Sequence, residues 1–560
     1  MASRRHARRV SVASAFALVL CALTGGGAVA QAGGGGGAEP FTHQLFNGVI
    51  GPLTQHGEGA GGESIYKNPP SPVCVLAAST AANVNTDCEG TFAHNETSIA
   101  ANPANPANLI GDANDYQIKL AADGHANQTA FIRAHVSFDG GKTWAMYPVP
   151  FNGYVATVDP AAAFDAAGNA YMSTLGYGFG QGFPPPSQNP DVLVAHSGDG
   201  GKTWDTVRVA SGTGVGTGPG ILNDKEYITA WGNGNVIVTW TRFQDGKGGS
   251  FIRGPIFDAV SHDGGNTWSA PQEISGSAPF CLGALASDPT ACDQDQASVP
   301  AVAADGSIHV AFESTYNLDP ASPAFGAGQY LVVKVDPVTG ARAAGPFLVS
   351  HLVDGVFDYP VNVDGSQTYQ DSEFRTNSAG NIAADPANPL HLAVVWSDMR
   401  NSTLPAPSDP FSATTNSDIV VSQSFDGGVT WSAPVALAAR GDQFMPWGVY
   451  DSAGLLRIGY FDRSYDPANH AYGYTLATET SPGSLTFSKT QLTTTLSDPT
   501  QGTRWFSGGV VNHATTFLGD YSGIAALPSG VAALWTDLRN SVCFTTRCGS
   551  GQDAFFAAAP

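Results

Sequence analysis

Short apolar runs recur along this chain in pairs, and each pair is bounded by Asp, Gly, Asn or Pro. The unit from Asn95 reads NETSIAANPANPANLIGDAND, and the unit from Arg375 reads RTNSAGNIAADPANPLHLAVVWSDMRN; both turn on the same A-x-P-A-N-P string. Comparable pairs start at Asp159, Asn223, Gln296, Gln443 and Gly519, which makes seven. Runs this short, alternating or wholly apolar and punctuated by turn residues, predict β-strands, and their regular period predicts a propeller rather than a sandwich.

A second repeat follows four of these pairs: SFDGGKTW from Ser137, SGDGGKTW from Ser197, SHDGGNTW from Ser261 and SFDGGVTW from Ser424. Each position has a physical role in a hairpin. The aspartate (Asp139, Asp199, Asp263, Asp426) can accept backbone N–H groups of the turn, the glycines supply positive φ, and the tryptophan (Trp144, Trp204, Trp268, Trp431) buries a large apolar face. These strings resemble the Asp box, or bacterial neuraminidase repeat, of the sialidase-like family, where the motif joins the two outer strands of a blade. The resemblance implies an all-β chain forming a single β-propeller of four-stranded antiparallel blades. Seven blades are expected here, with six, the sialidase number, as the alternative. It also implies that the four aspartates are structural, because family Asp boxes lie on the face opposite the active site. Worn copies are predicted at KVDPVTGARA from Lys334 and at TETSPGSLTF after Thr478. The last unit ends one strand short, so an N-terminal strand should close the ring, from Val73 to Ser79 or from Phe41.

Composition fits an exported all-β protein. Residues 1–30 carry Arg4, Arg5, Arg8 and Arg9, then an apolar run, then Ala28-Val29-Ala30, the pattern of a signal peptide. Residues 31–72 read as a Gly-rich lead-in and residues 73–560 as the propeller. No later run is long enough to predict a membrane span. With 47 acidic residues against 25 basic ones, the formal net charge is −22, and loss of the leader makes it more negative. Nucleic acid is therefore excluded as a partner class; an extracellular glycan or glycoprotein is expected, with the chain a monomer. Once Cys21 leaves with the leader, six cysteines remain as three local pairs: Cys74 with Cys88, Cys281 with Cys292 and Cys543 with Cys548. In an oxidising compartment these predict three disulfides.

Propeller topology brings residues before each first strand and after each second strand to one rim. Long loops there, with Tyr177, Phe179, Phe183, Tyr316, Tyr465 and Trp505, would build a cleft that could stack on sugars. Sialidases hold the substrate carboxylate with three arginines and use a glutamate-activated tyrosine as nucleophile with an aspartate as acid/base. Carried onto this chain, the resemblance implies Tyr521 as nucleophile, Glu373 as its partner, Asp159 or Asp224 as acid, and Arg400, Arg463 and Arg539 as carboxylate ligands. The recurring Asp-Arg pairs equally suit salt bridges that tie blades or cap turns. No cofactor is required; calcium could be held by Glu96, Asp224 and Asp295. Two functions follow: a secreted sialidase-like glycoside hydrolase, or a non-catalytic secreted propeller that binds glycans or proteins.

Overall fold

The computed structural model describes residues 72–560, apart from 89–92, 121–125, 151–153, 155, 178–188, 214–219, 247–249, 363–365, 403–408, 500–516 and 545–546. The N-terminal leader and the strand expected from Phe41 lie outside the described residues. Every regular element described is a strand, and the strands form seven antiparallel blades with a small accessory hairpin.

Each blade runs outward from the axis in chain order, save for N-terminal strands added at the outer edges of blades one and seven. The first comprises Ala93–Ala101, Leu109–Leu120, Ala126–Ser137 and Ala145–Pro148, and the second Ala156–Phe164, Ala170–Tyr177, Asp191–Ser197 and Asp205–Ala210. The third is built on Gly220–Trp231 and Asn235–Asp245, the fourth on Asp295–Val302 and Ile308–Thr315, the fifth on Asn381–Ala384 and Leu392–Asp398, and the sixth on Gln443–Tyr450 and Leu456–Asp462. The seventh contains Gly523–Leu527, Gly530–Asp537 and Asp553–Ala559. Each innermost strand packs against the next, and the last packs against the first. Apolar residues fill the wedges between blades, with Trp144, Trp204, Trp240, Trp396 and Trp535 fully buried.

All four DGG turns connect third to fourth strands. In the first, Asp139 Oδ1 accepts the N–H groups of Lys142 and Thr143 at 3.0 and 2.8 Å, and Ser137 Oγ accepts the N–H of Gly141 at 2.9 Å. The Trp144 indole donates back to the Gly141 carbonyl at 3.0 Å. Equivalent bonds recur around Asp199, Asp263 and Asp426. Gly141 has φ 88°, and a Cβ there would run into the Phe556 ring of the seventh blade. The two worn copies occupy the same turn in blades four and six: Asp336 accepts the N–H of Thr339 at 2.8 Å, and the turn after Glu479 leads into Phe487–Gln491.

Ring closure departs from the expected segment. Cys74–Val75, within the Val73–Ser79 stretch, pairs with Ala145–Pro148 and adds a fifth strand to blade one. The closing strand is Val84–Asn85, paired with Asp553–Ala559. The reason is geometric: Cys74–Cys88 form a disulfide, so the segment doubles back and touches both sides of the seam between blades one and seven. Cys281 and Cys292 are also bonded. Cys543 and Cys548 are register partners across the hairpin of Ser541–Phe544 and Arg547–Ser550, and their side chains lie outside the description.

Candidate active site

The innermost strands repeat one local irregularity that positions the site. A β-bulge interrupts the register between Asn95 and Ser98, Val158 and Ala161, Asp224 and Tyr227, Gln296 and Val299, and Phe444 and Trp447. Within each bulge one non-glycine residue takes left-handed φ: Glu96 (54°), Asp159 (57°), Lys225 (51°), Ala297 (55°) and Met445 (48°). Such a conformation costs about 1 kcal/mol or more per residue, and bulges re-aim side chains. Here three of the five carry charge into a central cavity. Strand direction puts the cavity at the end of the ring opposite the DGG turns.

The cavity has a volume of about 180 Å³ and is lined by seven carboxyl groups (Glu96, Asp159, Asp224, Glu226, Glu313, Asp354 and Asp520) and two cations, Lys225 and Arg375. Its walls include Tyr116, Tyr177, Tyr227, Trp447, Phe517 and Tyr521. Lys225 Nζ lies 3.0 Å from Glu96 Oε1, 3.0 Å from Asp159 Oδ2 and 2.6 Å from Asp520 Oδ2. Arg375 completes the cluster with a bidentate pair to Asp520, at 2.9 and 2.5 Å. Burial alone would raise the Asp520 carboxyl, but Arg375 and Lys225 outweigh it and hold that group well below the usual carboxylate range.

The other acids go the opposite way. Glu226 is buried, its carboxyl oxygens meet no side-chain hydrogen-bond partner among the described residues, and burial, assisted by the charge of Asp159, raises it well above the ordinary value. Burial pushes Asp224 up to about 7 against the pull of Lys225, while the Gln296 amide donates to it at 3.1 Å. Burial also raises Glu96, and Asn114 donates to its Oε2 at 2.6 Å. Burial raises Glu313, with the neighbouring Asp354 adding to the rise, and burial pushes Asp354 up to about 7. One cavity therefore holds carboxyls raised by burial beside one, Asp520, held low by two cations.

The structure brings together some of the residues expected from the sequence and separates others. Asp159, Asp224, Glu96 and Tyr521 line the cavity; Glu373 and Asp295 do not. The Tyr521 hydroxyl donates to the Pro160 carbonyl at 2.9 Å. Burial, reinforced by Glu96 and Asp159, raises its phenol well above 10. The three-arginine clamp is not assembled. Arg400 and Arg539 each fold back on the aspartate two residues earlier, with Nη2 to Oδ2 distances of 2.6 and 2.7 Å. Those aspartates, Asp398 and Asp537, also accept the indole N–H of Trp396 and Trp535, both at 2.9 Å. Arg463 is fully buried, donating to Ser372 Oγ at 2.6 Å and to the Gln370 carbonyl at 3.1 Å. These arginines are spent on architecture. For the calcium ligands, Glu96 and Asp224 share the cavity with Lys225, whose ammonium occupies the place a cation would take beside Glu96. Tyr177 lines the cavity, Tyr316 stacks on His351 at 4.1 Å, and Tyr465 bonds Thr475 at 2.6 Å. Phe179, Phe183 and Trp505 lie outside the described residues.

Sequence reasoning missed Lys225 and Glu226. A signal was present: aligning the inner strands sets Glu96 of N-E-T, Asp159 of V-D-P and Lys225 of D-K-E in one column.

No protein-family model matches the chain, and no curated protein does. Among solved structures, the Hadza microbial sialidase Hz136 matches at 12% identity over 88% of this chain and 96% of its own, with a TM-score of 0.41. The NanB sialidase from Streptococcus pneumoniae matches at 8% identity over 87% and 99%, with a TM-score of 0.40. A PL25 ulvan lyase matches at 10% over 84% and 95%, with a TM-score of 0.41. At these values no activity carries over from any of them, and the function rests on the cavity.

Proposed function

We propose that this protein is an exported glycan-acting propeller, a glycoside hydrolase whose chemistry sits in the central cavity and whose substrate is an uncharged sugar. The observation that carries this reading is the contrast between Glu226, buried in the cavity with its carboxyl raised well above the ordinary range, and the ion-paired carboxylates gathered on Lys225. Glycoside hydrolysis needs a carboxylic acid to protonate the leaving oxygen and a carboxylate on the opposite side. Glu226 takes the first role, and Asp159, in its ion pair with Lys225, takes the second. The transition state resembles an oxocarbenium ion, and an acidic cavity stabilises the positive charge that develops. Trp447 and the tyrosines offer faces for the sugar ring.

The same electrostatics oppose a sialoside. Its carboxylate would meet the ion-paired Asp159 and Asp520, with Arg375 already engaged by Asp520 and Arg400, Arg463 and Arg539 held elsewhere. The test is turnover of a panel of aryl glycosides, uncharged sugars alongside a sialoside, by wild type, Glu226→Gln and Tyr521→Phe. Cleavage of an uncharged glycoside that is lost in Glu226→Gln and kept in Tyr521→Phe supports the reading. Sialoside cleavage abolished by Tyr521→Phe overturns it in favour of sialidase chemistry. Sugar binding without turnover identifies a binding propeller instead.

A further inference from the structure

We propose that the seam where the ring closes is a divalent metal site, with Asp87, His94 and Asp553 as ligands and a borderline ion of the zinc class as occupant. The three residues come from separate pieces of chain: Asp87 follows the closing strand Val84–Asn85, His94 lies on the innermost strand of blade one, and Asp553 begins the third strand of blade seven. All three are buried, at 2%, 0% and 2% exposure. One ligand atom from each lies within 4.8 Å of the others. His94 Nδ1 is 3.4 Å from Asp87 Oδ2, a separation that two neighbouring ligands take on one ion with bonds of about 2.0–2.2 Å.

The outer face of the imidazole is arranged as metal-binding histidines usually are. His94 Nε2 faces Asp115 Oδ1 at 3.5 Å, and Asp115 is in turn paired with Arg133 Nε at 3.2 Å. With an ion bound at Nδ1, a carboxylate on the Nε2 side would accept the remaining ring N–H. Asn540 Nδ2 donates to Asp553 Oδ2 at 2.7 Å and orients the third ligand. One imidazole nitrogen with two carboxylate oxygens suits zinc better than calcium, which prefers an all-oxygen shell. The backbone already holds the frame, since the His94 N–H donates to the Gln552 carbonyl at 2.7 Å and the Thr86 N–H to the Ala554 carbonyl at 2.9 Å. An ion here would pin the N-terminal segment, blade one and blade seven together, as a second closure beside the Cys74–Cys88 disulfide.

The test uses tag-free mature protein, stripped with chelator, desalted and titrated with Zn2+, with metal content, calorimetric binding and Tm as readouts. The expected result is one Zn2+ per chain with a Tm rise of roughly 5 °C. Asp553→Asn and His94→Gln, each checked for native β circular dichroism, should bind at least about tenfold more weakly and lose the Tm response. Wild type that takes up no Zn2+, or that responds to Ca2+ alone, overturns the proposal. So does Zn2+ binding of wild-type strength in both variants, because the ion would then lie elsewhere. Should both variants fail to fold, the wild-type stoichiometry and Tm response decide alone.

Discussion

At the scale of single residues, the same side-chain types serve opposite ends according to their neighbours. Trp396, Asp398 and Arg400, like Trp535, Asp537 and Arg539, form closed clamps in which one aspartate takes an indole N–H and a guanidinium. Arg400→Gln should therefore lower stability by about 1.5–3 kcal/mol, measured by denaturant unfolding, through loss of charge-assisted hydrogen bonds. Lys225 differs, because it compensates Glu96, Asp159 and Asp520 together. Lys225→Met should cost about 3–5 kcal/mol at pH 8, the penalty for breaking a buried ion pair, and markedly less at pH 4, where the orphaned carboxyls can take up protons. An equal loss at both pH values would refute this role. The Asp-Arg half of the clamp was legible in the recurring pairs as a structural alternative, and the part of the tryptophan two residues before each aspartate was not. The charge column of Glu96, Asp159 and Lys225 was obscured, because a lysine among acids does not look like a repeat until the strands are aligned on their bulges.

Among the elements, the DGG turn is the feature read most completely from sequence, since every part of it is local. Its aspartate acts on N–H groups three and four residues onward, so spacing alone specifies the bonds. Asp139→Ala should destabilise by about 1 kcal/mol in thermal unfolding, because the turn is exposed and water partly replaces the lost acceptor. Gly141→Ala should cost more, combining positive φ with a clash against Phe556. A milder effect for Gly141→Ala than for Asp139→Ala would contradict the packing described. The closing strand was harder to locate, because Val84–Asn85 contributes only two paired residues and no hydrophobic run. Its place is set by the Cys74–Cys88 bond and by contacts with residues more than 400 positions away, which local pattern does not encode.

Across the whole molecule, the ring concentrates buried acids around its axis, and this has a consequence for pH. Burial pushes both Asp224 and Asp354 up to about 7, and raises Glu226 as well. In the unfolded chain such groups titrate near 4, so between about pH 4 and pH 7 the folded state binds more protons, and stability falls as pH rises through that window. Tm should accordingly increase as pH is lowered from 8 to 5; a flat or opposite trend would show that these carboxyls are solvated. The fold places its clamps and turns around the periphery and gathers seven carboxyls with Lys225 and Arg375 at the centre, which is why function is assigned there. The most direct test compares kcat/KM of Glu226→Gln and Arg400→Gln on the aryl glycoside that wild type cleaves fastest. The cavity assignment predicts a loss of at least about 100-fold for Glu226→Gln and a change within about threefold for Arg400→Gln. Wild-type turnover in Glu226→Gln, with collapse in Arg400→Gln, would contradict it and return the site to the Asp-Arg rim.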